Sequence, residues 1–200
     1  MKLYAAVASP FVRKVRMAMA LRGLDRDIAL HPTNTNDPAD ALHGANPLGK
    51  MPALELDDGT ALYDSRVIVE YIDSIGTAGT PLLPAGPDRW RALRLQALAD
   101  GMCDAAILCI YESRYRPEER RHAPWVDRQW HRVEKALEVL EAAPPPGGAP
   151  ATIGEVALAA ALGYLDFRFE GKWRDGHPRL VAWLDEFAGA VPAFAATAPD

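Results

Sequence analysis

The residue pattern changes near position 80, and this change limits the possible folds more than any other feature of the sequence. Before it, short β-like segments alternate with helical ones, whereas after it the apolar residues keep helical spacing. Residues 77–87 are rich in Gly, Pro and Thr, which is typical of a linker. We therefore predict a small α/β domain at 1–76, a linker at 77–87 and an all-helical domain at 88–200.

The first half has the element order βαβαββα. A hairpin turn over residues 57–60, Asp-Asp-Gly-Thr, joins its last two strands. Asp37 is the predicted cap of a short second helix. The predicted strands are Lys2–Ala5, Asp27–Leu30, Pro52–Leu56 and Ala61–Tyr63, and the predicted helices are Phe11–Arg22, Ala39–His43 and Arg66–Ile75.

The second half is predicted to be helical throughout. Prolines and glycines at 144–148 force a loop between two of them. Thr152 and Glu155 form a capping box immediately before a long apolar run. The predicted helices are Trp90–Tyr115, Pro124–Ala142, Ile153 to about Phe169, and a last helix from Pro178 through Ala188.

Composition excludes several classes of function. The net charge is −5, from 22 basic and 27 acidic residues, and the cluster Arg13, Lys14 and Arg16 is too short to form a nucleic-acid-binding face. No stretch approaches the ~20 apolar residues of a membrane span, and the N-terminus lacks a secretory signal pattern. Cys103 and Cys109 fall on opposed faces of one helix, so we expect them to be unpaired in a reducing cytoplasm.

Ser9-Pro10-Phe11 is the first of three segments that carry chemistry. Pro10 suits the first position of a helix, which makes Ser9 its N-cap. A helix N-terminus favours a nearby anion such as a thiolate. Ser9 is therefore either a simple cap or a residue that contacts a thiolate.

The second segment is the run from Asn46 to Leu54, Asn-Pro-Leu-Gly-Lys-Met-Pro-Ala-Leu. A proline just before a strand cannot donate a ladder hydrogen bond, and one explanation is a cis bond between Met51 and Pro52. Such a turn would leave the backbone N–H and C=O of Met51 free to pair with an extended peptide.

The third segment is Tyr63-Asp64-Ser65-Arg66, at the start of a helix. Asp64 and Ser65 can cap this helix. Alternatively, Ser65 and the helix N-terminus hold a carboxylate while Asp64 holds an ammonium group. Those two charges are the ones presented by the end of an α-amino acid.

Together, these three segments resemble the cytosolic glutathione transferases, more narrowly the bacterial members with a Ser-Pro-Phe-Val-Arg-Lys signature. The resemblance covers nearly the whole chain. It implies a thioredoxin-like N-terminal domain, an all-α C-terminal domain, a homodimer and glutathione as co-substrate. No metal is implied, and no nucleic acid or membrane partner.

The resemblance also implies roles for individual residues. Ser9 matches the serine that contacts the glutathione sulfur, and Met51 matches the residue before the cis proline, here Pro52, whose backbone pairs with the cysteinyl part. Asp64 and Ser65 match the acid–serine pair that binds the γ-glutamyl end, although Glu is commoner at the first position. Lys50 matches a position that lines the same groove. For the glycine carboxylate no clear match exists; the candidates are His31, Thr33, Asn34 and His43.

The electrophile is expected in an apolar pocket between the Ser9 loop and the helical domain. The predicted lining residues are Phe11, Met102, Ala106 and Ile110, with Tyr111, Tyr115 and Trp173 as further candidates. Apolar residues at helical spacing are more often core than pocket, so both interpretations stay open.

Two other functions remain open on the same fold. One is a glutathione-dependent reductase or lyase, but such chemistry generally uses a cysteine nucleophile where this chain has Ser9. The other is a non-catalytic binding or regulatory protein. Likeness of fold does not decide between them, but the presence of Ser9, Lys50, Asp64 and Ser65 favours glutathione binding.

Overall fold

The first half of the protein is a small α/β unit in the computed structural model, which describes residues 1–199. Its order is βαβαββα, as predicted. Its elements are β1 (Lys2–Ala5), α1 (Pro10–Leu21), β2 (Ala29–Pro32), α2 (Leu42–Ala45), β3 (Ala53–Glu55), β4 (Ala61–Leu62) and α3 (Ser65–Ile75).

The four strands form one mixed sheet in the order β2-β1-β3-β4. β1 and β2 are parallel, as a crossover through α1 requires, whereas β3 is antiparallel to both β1 and β4. The register places Tyr4 beside Ala53 and Leu54 beside Leu62. The fold class predicted from the sequence, a thioredoxin-like half followed by an all-helical half, is confirmed.

In the first half, β2 and α2 are the elements displaced furthest from their predicted bounds. β2 begins at Ala29 rather than Asp27, because α1 is followed by a turn in which the Asp27 N–H donates to the Leu24 carbonyl. α2 begins at Leu42, and Asp40 rather than Asp37 accepts the hydrogen bond from its first N–H, at 2.9 Å. Both errors lie in turns, where local side-chain hydrogen bonds compete with regular structure.

The second half is helical, and α6 runs through its centre. Nearly every residue of α6 up to Leu165 is buried, and Thr152 with Glu155 forms the predicted capping box at its start. The helices are α4 (Pro87–Tyr115), α5 (Ala123–Ala142), α6 (Ile153–Phe169), α7 (Pro178–Ala190) and α8 (Ala193–Ala196), with single 3₁₀ turns at Glu118–Arg120 and Lys172–Arg174. None of the helices within residues 1–199 is both long and apolar enough to cross a membrane.

Arg22, at the end of α1, forms hydrogen bonds with the segment that connects the two halves. Its buried guanidinium donates to the carbonyls of Gly76, Ala78 and Gly79 and lies 3.1 Å from a carboxylate oxygen of Asp73. A single hydrophobic core then continues from the sheet into the helical half. The segment predicted as a linker therefore packs against the α/β half at its start.

Candidate functional site

The three predicted segments meet at one end of the sheet. Ser9 follows the C-terminal end of β1, and Met51 precedes the N-terminal end of β3. Because β1 and β3 are antiparallel, these two ends are adjacent, as the pairing of Tyr4 with Ala53 shows. β4 is antiparallel to β3, so its C-terminal end, which leads to Ser65, lies at the same edge. Topology thus brings together residues more than fifty positions apart.

Ser9 is the N-cap of α1 with an extended backbone, and Pro10 is the first helical residue, as predicted. The Ser9 Oγ accepts from the Val12 N–H at 3.4 Å, which is long for such a bond. Its hydroxyl proton has no acceptor among residues 1–199, so it is available to an incoming group. A hydroxyl donor at a helix N-terminus is suited to a thiolate.

The loop before β3 is held by Asn46, a residue that the sequence argument passed over. Its side chain is 2% exposed, donates to the Lys50 carbonyl at 2.7 Å and accepts from the Leu48 N–H at 3.0 Å. The Met51–Pro52 bond is cis, as predicted. Among the described residues, nothing pairs with the backbone N–H or C=O of Met51, which leaves both for an extended peptide. Lys50 itself is exposed beside it.

Asp64 and Ser65 open α3. The Asp64 carboxylate caps the helix by accepting from the Arg66 N–H at 2.9 Å, while its side chain stays exposed. Ser65 is the first helical residue, so its backbone N–H has no intrahelical partner. Its buried side chain forms no hydrogen bond with any described residue. The pair offers one carboxylate and several free donors to a ligand.

A buried ion pair underlies this end of the sheet and was not found from the sequence. The Lys14 ammonium on α1, 1% exposed, contacts both carboxylate oxygens of Asp100 on α4 at 2.7 and 2.9 Å. Arg66 Nε, on α3, reaches Asp100 at 3.0 Å. Burial lowers the pKa of Lys14, and the Asp100 charge counteracts that effect. In the sequence, the only sign of this ion pair is one charged residue within an apolar stretch of each helix. Lys14 was therefore assigned to the basic cluster with Arg13 and Arg16.

The predicted electrophile pocket is partly core. Met102 and Ala106 are fully buried in the hydrophobic core, so neither presents surface to a ligand in this conformation. Trp173 is also buried, where its indole N–H donates to Asp166 at 2.8 Å. The reason is that α6 packs along α4 and covers that face. Phe11 and Ile110 remain partly exposed.

Tyr115, at the end of α4, bridges the two halves over the cleft. Its hydroxyl donates to the Asn36 side-chain oxygen, at 3.0 Å, in the loop between β2 and α2. In the same loop, Asp40 accepts from Thr33 and Asn34, so those two candidates for carboxylate binding stabilise the loop itself. His31 packs edge-on against Tyr4 and His43 contacts the Asp37 carbonyl, so nothing selects either for that role.

Other candidates are explained by packing. Tyr4 is buried in β1 with its hydroxyl donating to Glu55 at 2.8 Å, as expected for a packed strand residue. Cys103 is buried, Cys109 is half-buried, and both are free. Within residues 1–199, no group of three or more His, Cys, Asp or Glu side chains is placed to hold a metal ion.

Comparisons with known proteins agree on one family. The pattern described as "Glutathione S-transferase, N-terminal domain" matches residues 8–75, and "Glutathione S-transferase, C-terminal domain" matches residues 123–186. A protein from Escherichia coli (strain K12), "Uncharacterized GST-like protein YibF", is 31% identical over 205 residues, covering 100% of this chain and 98% of that one.

Two solved structures of a glutathione transferase family member from Pseudomonas fluorescens Pf-5 match with a TM-score of 0.89. One has bound glutathione, with 41% identity over 100% of this chain and 98% of that chain. The other has bound S-(propanoic acid)-glutathione, with 42% identity over 100% of both chains.

Proposed function

The chain belongs to the glutathione S-transferase family, and from this premise we propose that it binds glutathione and conjugates the glutathione thiolate to a small electrophile. The observation that carries the proposal is the convergence of Ser9, Met51 and Ser65 at one end of the sheet. Relatives with bound glutathione and with an S-substituted form of it, at 41% and 42% identity, support the same ligand.

Glutathione lies across this edge as an added extended strand. Its γ-glutamyl end meets Asp64 and Ser65, with the ammonium on the Asp64 carboxylate and the carboxylate on the free N–H groups that start α3. The cysteinyl backbone pairs with Met51, after which the turn at Pro52 leads into β3. Lys50 lines the same groove. The sulfur then reaches Ser9.

Ser9 makes this a serine-type transferase. A free thiol has a pKa of about 8.5, and a hydroxyl donor with a helix N-terminus stabilises the thiolate. Each unit of pKa lowering corresponds to about 1.4 kcal/mol in favour of the thiolate. The thiolate attacks an electrophilic carbon whose apolar part packs against Phe11 and Ile110. A carbon–sulfur bond forms, and the leaving group departs with its electron pair.

Asp64→Asn tests the placement of the γ-glutamyl end. Asparagine keeps the hydrogen bond that caps α3 but removes the charge, so stability is retained while the ammonium loses its partner. We expect calorimetric titration to show glutathione affinity lowered about tenfold. Asp58→Asn, at an exposed turn with the same kind of local hydrogen bond, is the matched control. Equal affinity in both variants would remove Asp64 from the site.

Ser9→Ala tests the role of the hydroxyl. The pKa of the bound thiol, followed by thiolate absorbance across a pH series, should rise by about one unit because a charge-assisted hydrogen bond is lost. Ser9→Thr keeps the hydroxyl and is the control. An unchanged pKa in Ser9→Ala would leave Ser9 as a helix cap only.

A measurement of turnover distinguishes conjugation from the other two candidate functions. A panel of electrophiles supplied to glutathione-loaded protein should yield conjugates. Binding without turnover would favour a non-catalytic regulatory protein. Reduction or lyase chemistry would need a nucleophile other than Ser9, and the buried Cys103 is an inert candidate because burial raises the pKa of its thiol.

The assembly is a homodimer in this proposal, and the protein acts in the cytoplasm. An apolar groove of about 330 Å³ lies between α3 and α4, with Val67, Leu93 and Ala97 in its walls. Trp90, 70% exposed, lies on the same face of α4 one turn before Leu93. The domain limits 1–76 and 88–200 stay a prediction. A monomer mass in light scattering would contradict the dimer.

A further inference from the structure

Arg13 lies one helical turn after Ser9 on α1. Its backbone N–H donates to the Ser9 carbonyl at 3.0 Å, and the Val12 N–H of the same turn donates to the Ser9 Oγ. Arg13 and Ser9 therefore share the hydrogen bonds with which α1 begins. A shift of Arg13 moves the backbone that carries the Ser9 hydroxyl, so the contacts of the Arg13 side chain affect the position of that hydroxyl.

The Arg13 side chain connects this turn to the C-terminal end of the helical half. Arg13 is 5% exposed, its Nη2 donates to the Phe194 carbonyl at 2.8 Å, and its Cζ lies 4.1 Å from the centroid of the Phe194 ring. Phe194 packs edge-on against Phe187 of α7, with ring centroids 6.0 Å apart. Burial lowers the pKa of Arg13 to about 10, so the guanidinium is protonated at neutral pH and its hydrogen bond is charge-assisted.

Gly163 in α6 provides the space in which the guanidinium reaches Phe194. A Cβ at this position would overlap the Nη1 of Arg13 and would lie 3.1 Å from its Cζ. Glycine is a poor helix former, yet Gly163 lies well inside α6. The chain therefore has a locally unfavourable residue at the place where Arg13 passes α6, which indicates that the close approach matters.

Arg22, at the other end of α1, forms contacts of the same kind. It is also 5% exposed, and its guanidinium donates to backbone carbonyls of the segment 76–79. A buried arginine thus attaches each end of α1 to the backbone of a segment that is distant in the sequence. Ser9 lies at the Arg13 end alone, so Arg22 is a reference against which the effect of Arg13 can be measured.

We infer that Arg13 is a positioning residue: through Phe194 it holds the first turn of α1, and with it the Ser9 hydroxyl, in place beside the glutathione sulfur. This inference rests on the proposed function, in which Ser9 donates a hydrogen bond to that sulfur. Such a bond weakens as it bends, so a small shift of the turn reduces the stabilisation of the thiolate. In that proposal the rest of glutathione is held by Met51 and Ser65, so its affinity depends little on Arg13.

Two substitutions remove the contact in different ways. Arg13→Met removes the guanidinium, whereas Gly163→Ala keeps it and places a methyl group against its Nη1. In the full-length protein with bound glutathione, both should raise the pKa of the bound thiol by about 0.5–1 unit, because the Ser9 hydroxyl is no longer aimed at the sulfur. Thiolate absorbance across a pH series measures this pKa. The affinity for S-methylglutathione, which has no thiol, should stay within about twofold in calorimetric titration.

Destabilisation of the fold does not produce this pattern. Alanine is the better helix former, so Gly163→Ala raises the thiol pKa without a necessary loss of stability, and it provides the measurement if Arg13→Met does not fold. Gly189→Ala, in α7, is its matched control, because no described residue outside that stretch of helix lies within 4 Å of the added Cβ. Arg22→Met is the matched control for Arg13→Met. Both controls should leave the thiol pKa unchanged.

A second test distinguishes positioning from a direct effect of the Arg13 charge on the thiolate. In protein that already carries Ser9→Ala, Arg13→Met should add no further rise in the thiol pKa, because its effect passes through the Ser9 hydroxyl. A further rise of the same size would overturn the inference.

An unchanged thiol pKa in either Arg13→Met or Gly163→Ala, with the pKa raised in Ser9→Ala, would also overturn this inference and leave the proposed function intact. An unchanged pKa in Ser9→Ala itself would overturn the inference together with the proposed role of Ser9. Absence of glutathione binding would overturn the proposed function as well.

Discussion

The two walls of the cleft are built in different ways. On the sheet side, the candidate ligand-binding groups are backbone atoms and helix caps in three short segments, each shaped by its own local hydrogen bonds, as in the loop that Asn46 holds. On the helical side, the candidate groups are side chains of α4, such as Ile110 and Tyr115, and their exposure depends on how α6 packs against that helix. In the proposed function, the sheet side positions glutathione and the helical side contacts the electrophile.

The largest expected effect concerns the ion pair that joins the two walls. Lys14→Met and Asp100→Leu should each lower the free energy of unfolding by about 3–5 kcal/mol, because each leaves a buried charge without its partner. The double variant should regain most of that loss, since it buries no charge there. Urea unfolding followed by circular dichroism and by tryptophan fluorescence measures both quantities.

Coincident unfolding curves from the two probes would mean that the halves unfold as one unit. If either single variant retained full stability, the pair would not be what couples the two walls. A double variant as unstable as the singles would show that the surrounding helices need the charges for their packing.

A smaller effect is expected within the sheet side. Asn46→Ala leaves the Lys50 carbonyl and the Leu48 N–H without their partner in a buried place, which costs about 1–3 kcal/mol. Glutathione affinity should fall as well, because the backbone of Met51 is positioned by this loop. Asp58→Ala, in the exposed turn between β3 and β4, is the control and should leave affinity unchanged. Chemical denaturation and calorimetric titration provide the two measurements.

The smallest effect is expected where the two walls touch over the cleft. Tyr115→Phe removes an exposed hydrogen bond to Asn36, so stability should change by less than about 1 kcal/mol. Glutathione dissociation, measured by stopped-flow fluorescence, should become faster because the loop before α2 is no longer held to α4. Tyr71→Phe, which removes a hydroxyl that within residues 1–199 contacts only the Met1 sulfur, at 3.9 Å, serves as the control. Identical dissociation rates would show that the bridge does not limit release.

The sequence by itself determined the architecture and the local conformation of the segments at the sheet edge. The features that determined them are helical spacing, capping residues and the change in residue pattern near residue 80. Each depends on a few neighbouring residues, so each can be recognised without a structure. This is why the cap at Ser9, the cis bond before Pro52 and the capping box at Thr152 were predicted correctly.

Only the tertiary structure decided the helical side. Whether an apolar residue of α4 faces a ligand or the core depends on where α6 packs, which explains why Met102 and Ala106 were expected in the pocket and lie in the core. The same holds for charges: Arg13 and Lys14 follow each other in a basic run, yet Lys14 forms an ion pair with Asp100, whereas Arg13 forms none with residues 1–199 and donates to the Phe194 carbonyl. Their contact partners lie on helices that are distant in the sequence, so no local sequence pattern predicts these contacts.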